Sequence, residues 1–99
     1  MKPRTVRLTD EALRDIDTAT IFYNDVLDGL GRYFFDSITA DIESLQFFAG
    51  IHEQRLGYYC CPAKRFPFVM YYDLSEELVT VVAILDTRQA PHKAQKRLK

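Results

Sequence analysis

Apolar residues at Ala12, Leu13, Ile16, Ala19, Tyr23, Val26 and Leu27 recur at the spacing of one helical face. Thr9 stands just before them as an N-cap. Asp10 and Glu11 follow in the first turn, where negative charge meets the positive end of the helix dipole. Gly29-Leu30-Gly31 closes that helix with residues suited to a left-handed cap. A second helix then carries Phe34, Ile38, Ile42, Leu45 and Ala49 on one face, with Asp36, Asp41 and Glu43 directed elsewhere, and Gly50 stops it. The short glycine link predicts an antiparallel helical hairpin.

The period changes on either side of this hairpin. Residues 3 to 8 alternate weakly and read as a short first strand. After a polar loop from Ile51 to Leu56, extended segments follow at Tyr58-Tyr59-Cys60-Cys61, at Phe66 to Tyr72 and at Leu78 to Leu85. The last of these is apolar on both faces, as a central strand is. Pro67 lacks a ladder donor, so it belongs near a strand start. Asp73 to Glu77 is a turn. The order is β-α-α-β-β-β, an α+β fold with a helical hairpin on one face of a mainly antiparallel four-stranded sheet. In the strand of residues 66–72, Phe66, Phe68, Met70 and Tyr72 point one way, and Pro67, Val69 and Tyr71 the other. One hairpin covers only one face. The other needs a partner, or else the chain's own loops and tail.

Length adds that all 99 residues form one domain. The tail from His92 to Lys99 is basic and either a frayed helix or disordered. With 47% hydrophobic residues the chain can bury a core, and its net charge of −1 attracts neither nucleic acid nor an acidic membrane strongly. No segment has the unbroken apolar length of a membrane helix, and no apolar signal run follows Met1-Lys2-Pro3-Arg4, so a cytoplasmic location is expected. Cys60 and Cys61 are adjacent and cannot staple distant parts of a fold. With His52 and His92 they match no zinc spacing, so neither metal nor cofactor is expected.

Little conventional chemistry remains. Paired carboxylates, a Ser/His/Asp set and a phosphate loop are all missing from the pattern. Arg65 precedes one strand of the last hairpin and Arg88 follows the other, so antiparallel pairing brings both to the same edge of the sheet. They either contact a target or pair with Asp86, Asp73 or helix carboxylates. His92 offers a general acid or base, and Lys93 a nearby cation. Tyr71 and Tyr72 read first as strand packing. Phe22, Tyr33 and Phe47 lie off the apolar stripes and are either extra core or a docking surface.

The element order, the strand Arg65-Phe66-Pro67-Phe68-Val69-Met70-Tyr71-Tyr72, the apolar strand after it and the exit Asp86-Thr87-Arg88-Gln89-Ala90-Pro91 resemble the RelE/ParE superfamily of toxins from type II toxin–antitoxin modules. In many members the exit reads His-Gly-Arg-Arg-Asp-Pro. Here the first arginine and the proline are kept and the rest is lost. The resemblance implies a toxin silenced by a cognate antitoxin that folds on its surface, with Phe22, Tyr33 and Phe47 as the antitoxin-binding set. It implies one of two targets. RelE-like members cut messenger RNA on the ribosome, and ParE-like members poison DNA gyrase. The cations that the nuclease branch places on the strand before the hairpin are replaced by Tyr58-Tyr59-Cys60-Cys61. Its arginine inside the next strand is Phe68, and no tyrosine follows Arg88. The expectation is therefore a ParE-like, non-enzymatic gyrase inhibitor that uses Arg65, Tyr72 and Arg88 for target binding. The alternatives are a ribosome-dependent endonuclease using Arg65, Arg88, His92 and Lys93, or a degenerate module that only binds an antitoxin.

Overall fold

The computed structural model describes residues 2–89 and 92–98. Pro91 of the exit motif and Lys99 of the basic tail lie outside them. In chain order the elements are β1 (Thr5–Leu8), α1 (Asp10–Val26), α2 (Leu30–Phe48), β2 (Glu53–Arg55), β3 (Tyr58–Pro62), β4 (Phe68–Ser75), β5 (Leu78–Asp86) and α3 (His92–Leu98). They form one five-stranded sheet in the order β1-β5-β4-β3-β2. All neighbours are antiparallel except β1 and β5, which run parallel. The α+β class and the helical hairpin on a mainly antiparallel sheet are as expected. The fifth strand is β2, three exposed polar residues paired with Tyr58 to Cys60. Without an apolar face it left no strand pattern to read.

Thr9 caps α1 by accepting from the Ala12 amide at 3.1 Å. Gly29 opens α2 at a φ of 91°, the left-handed region that glycine enters without steric cost. Its amide donates to Asn24 Oδ1 at 2.9 Å, which ties the corner together. Gly31 lies inside α2 rather than in the link. A Cβ there would sit 2.5 Å from the Thr20 carbonyl oxygen, so the missing side chain is what lets the two helices approach.

The core lies between the hairpin and the sheet. Ala12, Ile16, Ala19 and Tyr23 of α1 and Phe34, Ile38, Ile42 and Leu45 of α2 meet Phe68, Met70, Tyr72, Val79, Val81 and Ile84. Leu13, Val26 and Leu27, which share the apolar spacing of α1, are exposed. Asp41 is a correction in the other direction. It is buried at 5% exposure, three residues after Ile38 and four before Leu45, on the core face. Its carboxylate accepts from the Lys64 amide at 3.1 Å and so fastens α2 to the turn before β4. Spacing alone contained that signal.

The second face of the sheet is not bare. Ala83 pairs with Tyr71 on that face and is fully buried. Within α3, Ala94 shares a hollow with Tyr71 and Leu85, and the buried Leu98 shares another with Thr80 and Val82. The basic tail thus supplies cover, leaving Val69, Tyr71, Val82 and Leu85 half-buried. The exposed apolar side chains lie chiefly on the helices and their ends: Ile21, Phe22, Val26, Leu27, Phe48 and Ile51 are each at least half exposed.

Candidate functional site

The register of the last hairpin sets the geometry of the site. Phe68 pairs with Asp86, and beyond that pair the Thr87 amide donates to the Pro67 carbonyl at 2.8 Å. The turn carrying Arg65 and the turn carrying Arg88 therefore stand at one end of the sheet, as expected. Beneath them lies an aromatic cluster. The Tyr23 ring is 4.9 Å from Phe66 and 5.2 Å from Phe34, centroid to centroid, and Phe34 is 5.2 Å from Phe68. Such pairs add to the stabilisation from area burial and fix the rings that carry the turns.

Arg65 is exposed, and among the described residues no carboxylate lies within ion-pair distance of it. Arg88 is held. Its Nε and Nη2 donate to the two oxygens of Asp86 at 3.0 and 2.8 Å, and Nη2 also donates to the Tyr23 hydroxyl at 3.4 Å. This hydrogen-bonded guanidinium holds the Asp86 carboxyl below its ordinary pKa, and Asp86 in turn raises that of Arg88. Burial pushes the Tyr23 phenol up, against the pull of Arg88. Arg88 is thus a positioned charge with an exposed edge, its fork already engaged by a carboxylate.

Tyr72 is a correction. Expected with the arginines as a target contact, it is fully buried and presents no atom to a partner. Its hydroxyl accepts from the Gly50 amide at 2.8 Å and lies 2.6 Å from His52 Nδ1. One hydrogen bond joins the phenol and Nδ1, its direction set by the His52 tautomer. Tyr59 stacks on the Tyr72 ring at 5.1 Å. This polar knot joins the end of α2 to the sheet. No motif announced it, since His52 and Tyr72 are twenty residues apart.

A pH dependence follows. Burial lowers the His52 pKa from 6.5 in the folded chain, so the unfolded chain takes up the proton first as pH falls. The contribution of His52 is therefore complete above 6.5 and is lost progressively below it. Urea midpoints should fall on going from pH 7 to about 5, and His52→Gln, which removes the titrating group, should flatten that trend. An unchanged slope in the variant would remove the assignment.

The three aromatics expected to dock a partner are all exposed: Phe22 at 53%, Tyr33 at 50% and Phe47 at 46%. Phe22 lies in the last turns of α1 and Tyr33 in the first turn of α2, where its ring is 5.6 Å from Phe66. Phe47 is fourteen residues further along α2, roughly 21 Å away at 1.5 Å per residue, beside exposed Phe48 and Ile51. They form two patches, not one.

His92 and Lys93 begin α3 and are exposed. Between α3 and α1 runs an open groove of about 820 Å³ that both of them line, with Asp86 and Gln89 at its end. Arg65 does not line it. A further network ties α3 down and was not foreseen. Asp15 of α1 accepts from Arg97 Nη1 and Nη2 at 2.9 and 2.8 Å, and from the Ile84 amide at 2.9 Å. β1 ends opposite Val81, so from Val82 onward β5 has no strand on that side. Asp15 and Arg97 satisfy the edge there, and Arg97 also donates to the Val82 carbonyl. Among the described residues no group of three or more His, Cys, Asp or Glu side chains is placed to hold a metal ion. Cys60 and Cys61 are free thiols, and burial pushes the Cys61 thiol up to about 11. No described helix is long and apolar enough to cross a membrane.

No family profile matches the sequence, and no curated protein matches it significantly. Solved structures do. The fold is similar to that of a chain in the structure titled "Chromosomal ParDE TA system from P. aeruginosa", with a TM-score of 0.78 and 17% identity over 86% of this chain and 97% of that one. The resemblance first drawn from the element order and the last hairpin is therefore matched in three dimensions: over 86% of its length this chain follows the fold of a chain from a ParDE toxin–antitoxin system.

Proposed function

We propose that this chain is the toxin of a type II toxin–antitoxin module, ParE-like in action, which inhibits DNA gyrase by binding and is silenced by a cognate antitoxin. The observation that carries this reading is the fold, shared with nearly the whole length of a chain from a ParDE system. Two features of the surface support it. Exposed aromatic and aliphatic residues concentrate on the helical hairpin, as they do on a surface built to receive another protein. At the end of the sheet, Arg65 and Arg88 stand out from a rigid aromatic base, and the Arg88 fork is bonded to Asp86. That arrangement suits recognition of a partner's polar surface. Arg65 and Arg88 are the target contacts in this reading, with Phe22, Tyr33 and Phe47 left to the antitoxin.

A second reading has one observation of its own: His92 and Lys93 project together from the first turn of α3, beside the Arg88 turn. A ribosome-dependent nuclease would use them with Arg65 and Arg88. Expression in bacteria separates the readings. The gyrase reading expects filamentous cells with gyrase-linked DNA breaks and intact messenger RNA, and at least tenfold weaker growth inhibition for Arg65→Glu with Arg88→Glu, if each costs about 1 kcal/mol of binding. Rapid loss of messenger RNA beside intact DNA favours the nuclease. Harmless expression favours a degenerate module that only binds an antitoxin.

A further inference from the structure

The corner of the helical hairpin leaves apolar side chains in water. Val26 and Leu27 at the end of α1 are each 63% exposed, and Phe22 and Tyr33 are about half exposed. The Tyr33 ring lies 5.6 Å from Phe66, so this patch reaches the turn that carries Lys64 and Arg65. Its two flanks differ in charge. Asp25 and Asp28 are exposed next to Val26 and Leu27, and Lys64 and Arg65 are exposed next to Phe66. Among the described residues none of these four has an opposite charge within ion-pair distance. Asp25 also stands in the last turn of α1, which holds no basic residue, so it meets the negative end of the helix dipole. A cation brought from outside would relieve it.

We propose that this patch pairs with the same patch on a second copy of the chain. A two-fold axis through the apolar centre sets the acidic flank of one copy against the basic flank of the other, and does so twice. Phe22, Val26, Leu27 and Tyr33 are then covered by their counterparts. Their exposed parts amount to roughly 400 Å², taking ~150–250 Å² for a whole ring, and the four charged side chains of the rim bring each copy towards the ~800 Å² of a stable interface. A nucleic-acid strand or an anionic lipid surface would meet Asp25 and Asp28 with like charge, and a basic partner would meet Lys64 and Arg65 so. The chain's own surface answers both flanks. The pairing goes beyond the toxin reading and does not rest on it. The two meet only in that Phe22, Tyr33 and Arg65 cannot serve a second copy and an antitoxin or target at once.

Sedimentation equilibrium of the full chain tests it. A single monomer–dimer equilibrium is expected, with a Kd on the order of 10–100 µM. Asp25→Arg with Asp28→Arg reverses the acidic flank, and Lys64→Glu with Arg65→Glu reverses the basic one. Each pair of changes should weaken self-association about tenfold or more. Mixed in equal amounts, the two variants should pair with each other to within about threefold of the unaltered chain, because every flank again meets its opposite. That recovery also shows that both variants are folded. Leu27→Ser with Tyr33→Ser should weaken association about tenfold, with no recovery in either mixture. A chain that stays monomeric, reversed variants that associate as well as the unaltered chain, a mixture no tighter than either variant alone, or growth beyond the dimer would each overturn the proposal. None of these outcomes depends on toxicity, so the pairing and the toxin reading can fail separately.

Discussion

Phe34→Ala is expected to destabilise the chain by about 3–5 kcal/mol, enough to lower the melting temperature by roughly 15 °C or more. Phe34 is fully buried, and its ring meets Tyr23, Phe66 and Phe68 at 5.0–5.2 Å. Truncation removes apolar burial and leaves a hole where the helical hairpin, the turn before β4 and β4 itself converge. A domain of this size has only about 5–15 kcal/mol of stability, so a large share would be lost. Phe22→Ala, at an exposed ring on the neighbouring helix, should change stability by about 0.5 kcal/mol or less. Denaturant titrations of the two variants check the contrast. Equal losses would mean that the exposed aromatics belong to the core, and that the docking surface assigned to them does not exist.

Asp15→Ala should cost about 2–4 kcal/mol, more than any other single charge removal among the described residues. The Asp15 carboxylate is only 16% exposed and accepts three hydrogen bonds, two from Arg97 and one from the Ile84 amide. Its loss removes the partner of a backbone donor on the open edge of β5 and leaves a guanidinium that is only 23% exposed with the Val82 carbonyl and the more distant Glu11. Arg97→Ala should cost less, because Asp15 keeps the Ile84 amide. Hydrogen exchange at Ile84 gives the local readout: the amide should lose protection in Asp15→Ala and keep most of it in Arg97→Ala. Similar protection in both variants would show that the edge of β5 is closed by something other than Asp15.

The sequence made the fold legible wherever an element had an apolar face. The period-3.6 stripes of α1 and α2 and the alternation in β4 are strong because each buries one side of a regular element. β2 was hidden because Glu53-Gln54-Arg55 buries nothing. α3 was only partly visible because its hold on the domain comes from Arg97 and from one buried side chain, Leu98, instead of a stripe. The arginines were legible because hairpin pairing fixes which strand ends meet. Their states were not, because the engagement of Arg88 by Asp86 depends on a turn conformation that residue order does not reveal. Tyr72 was misplaced for a related reason: a tyrosine on a sheet face turns inward or outward with the cover that face receives, and the hairpin covers this one.

In the proposed reading the chain acts on its target by binding, with no covalent step of its own. Purified chain mixed with DNA gyrase and supercoiling substrate tests it most directly, with ribosomes bearing messenger RNA as the parallel reaction. Lost supercoiling and trapped gyrase–DNA breaks are expected at stoichiometric amounts of the chain, with the message left whole. Untouched gyrase activity beside catalytic cleavage of the ribosome-bound message would contradict it.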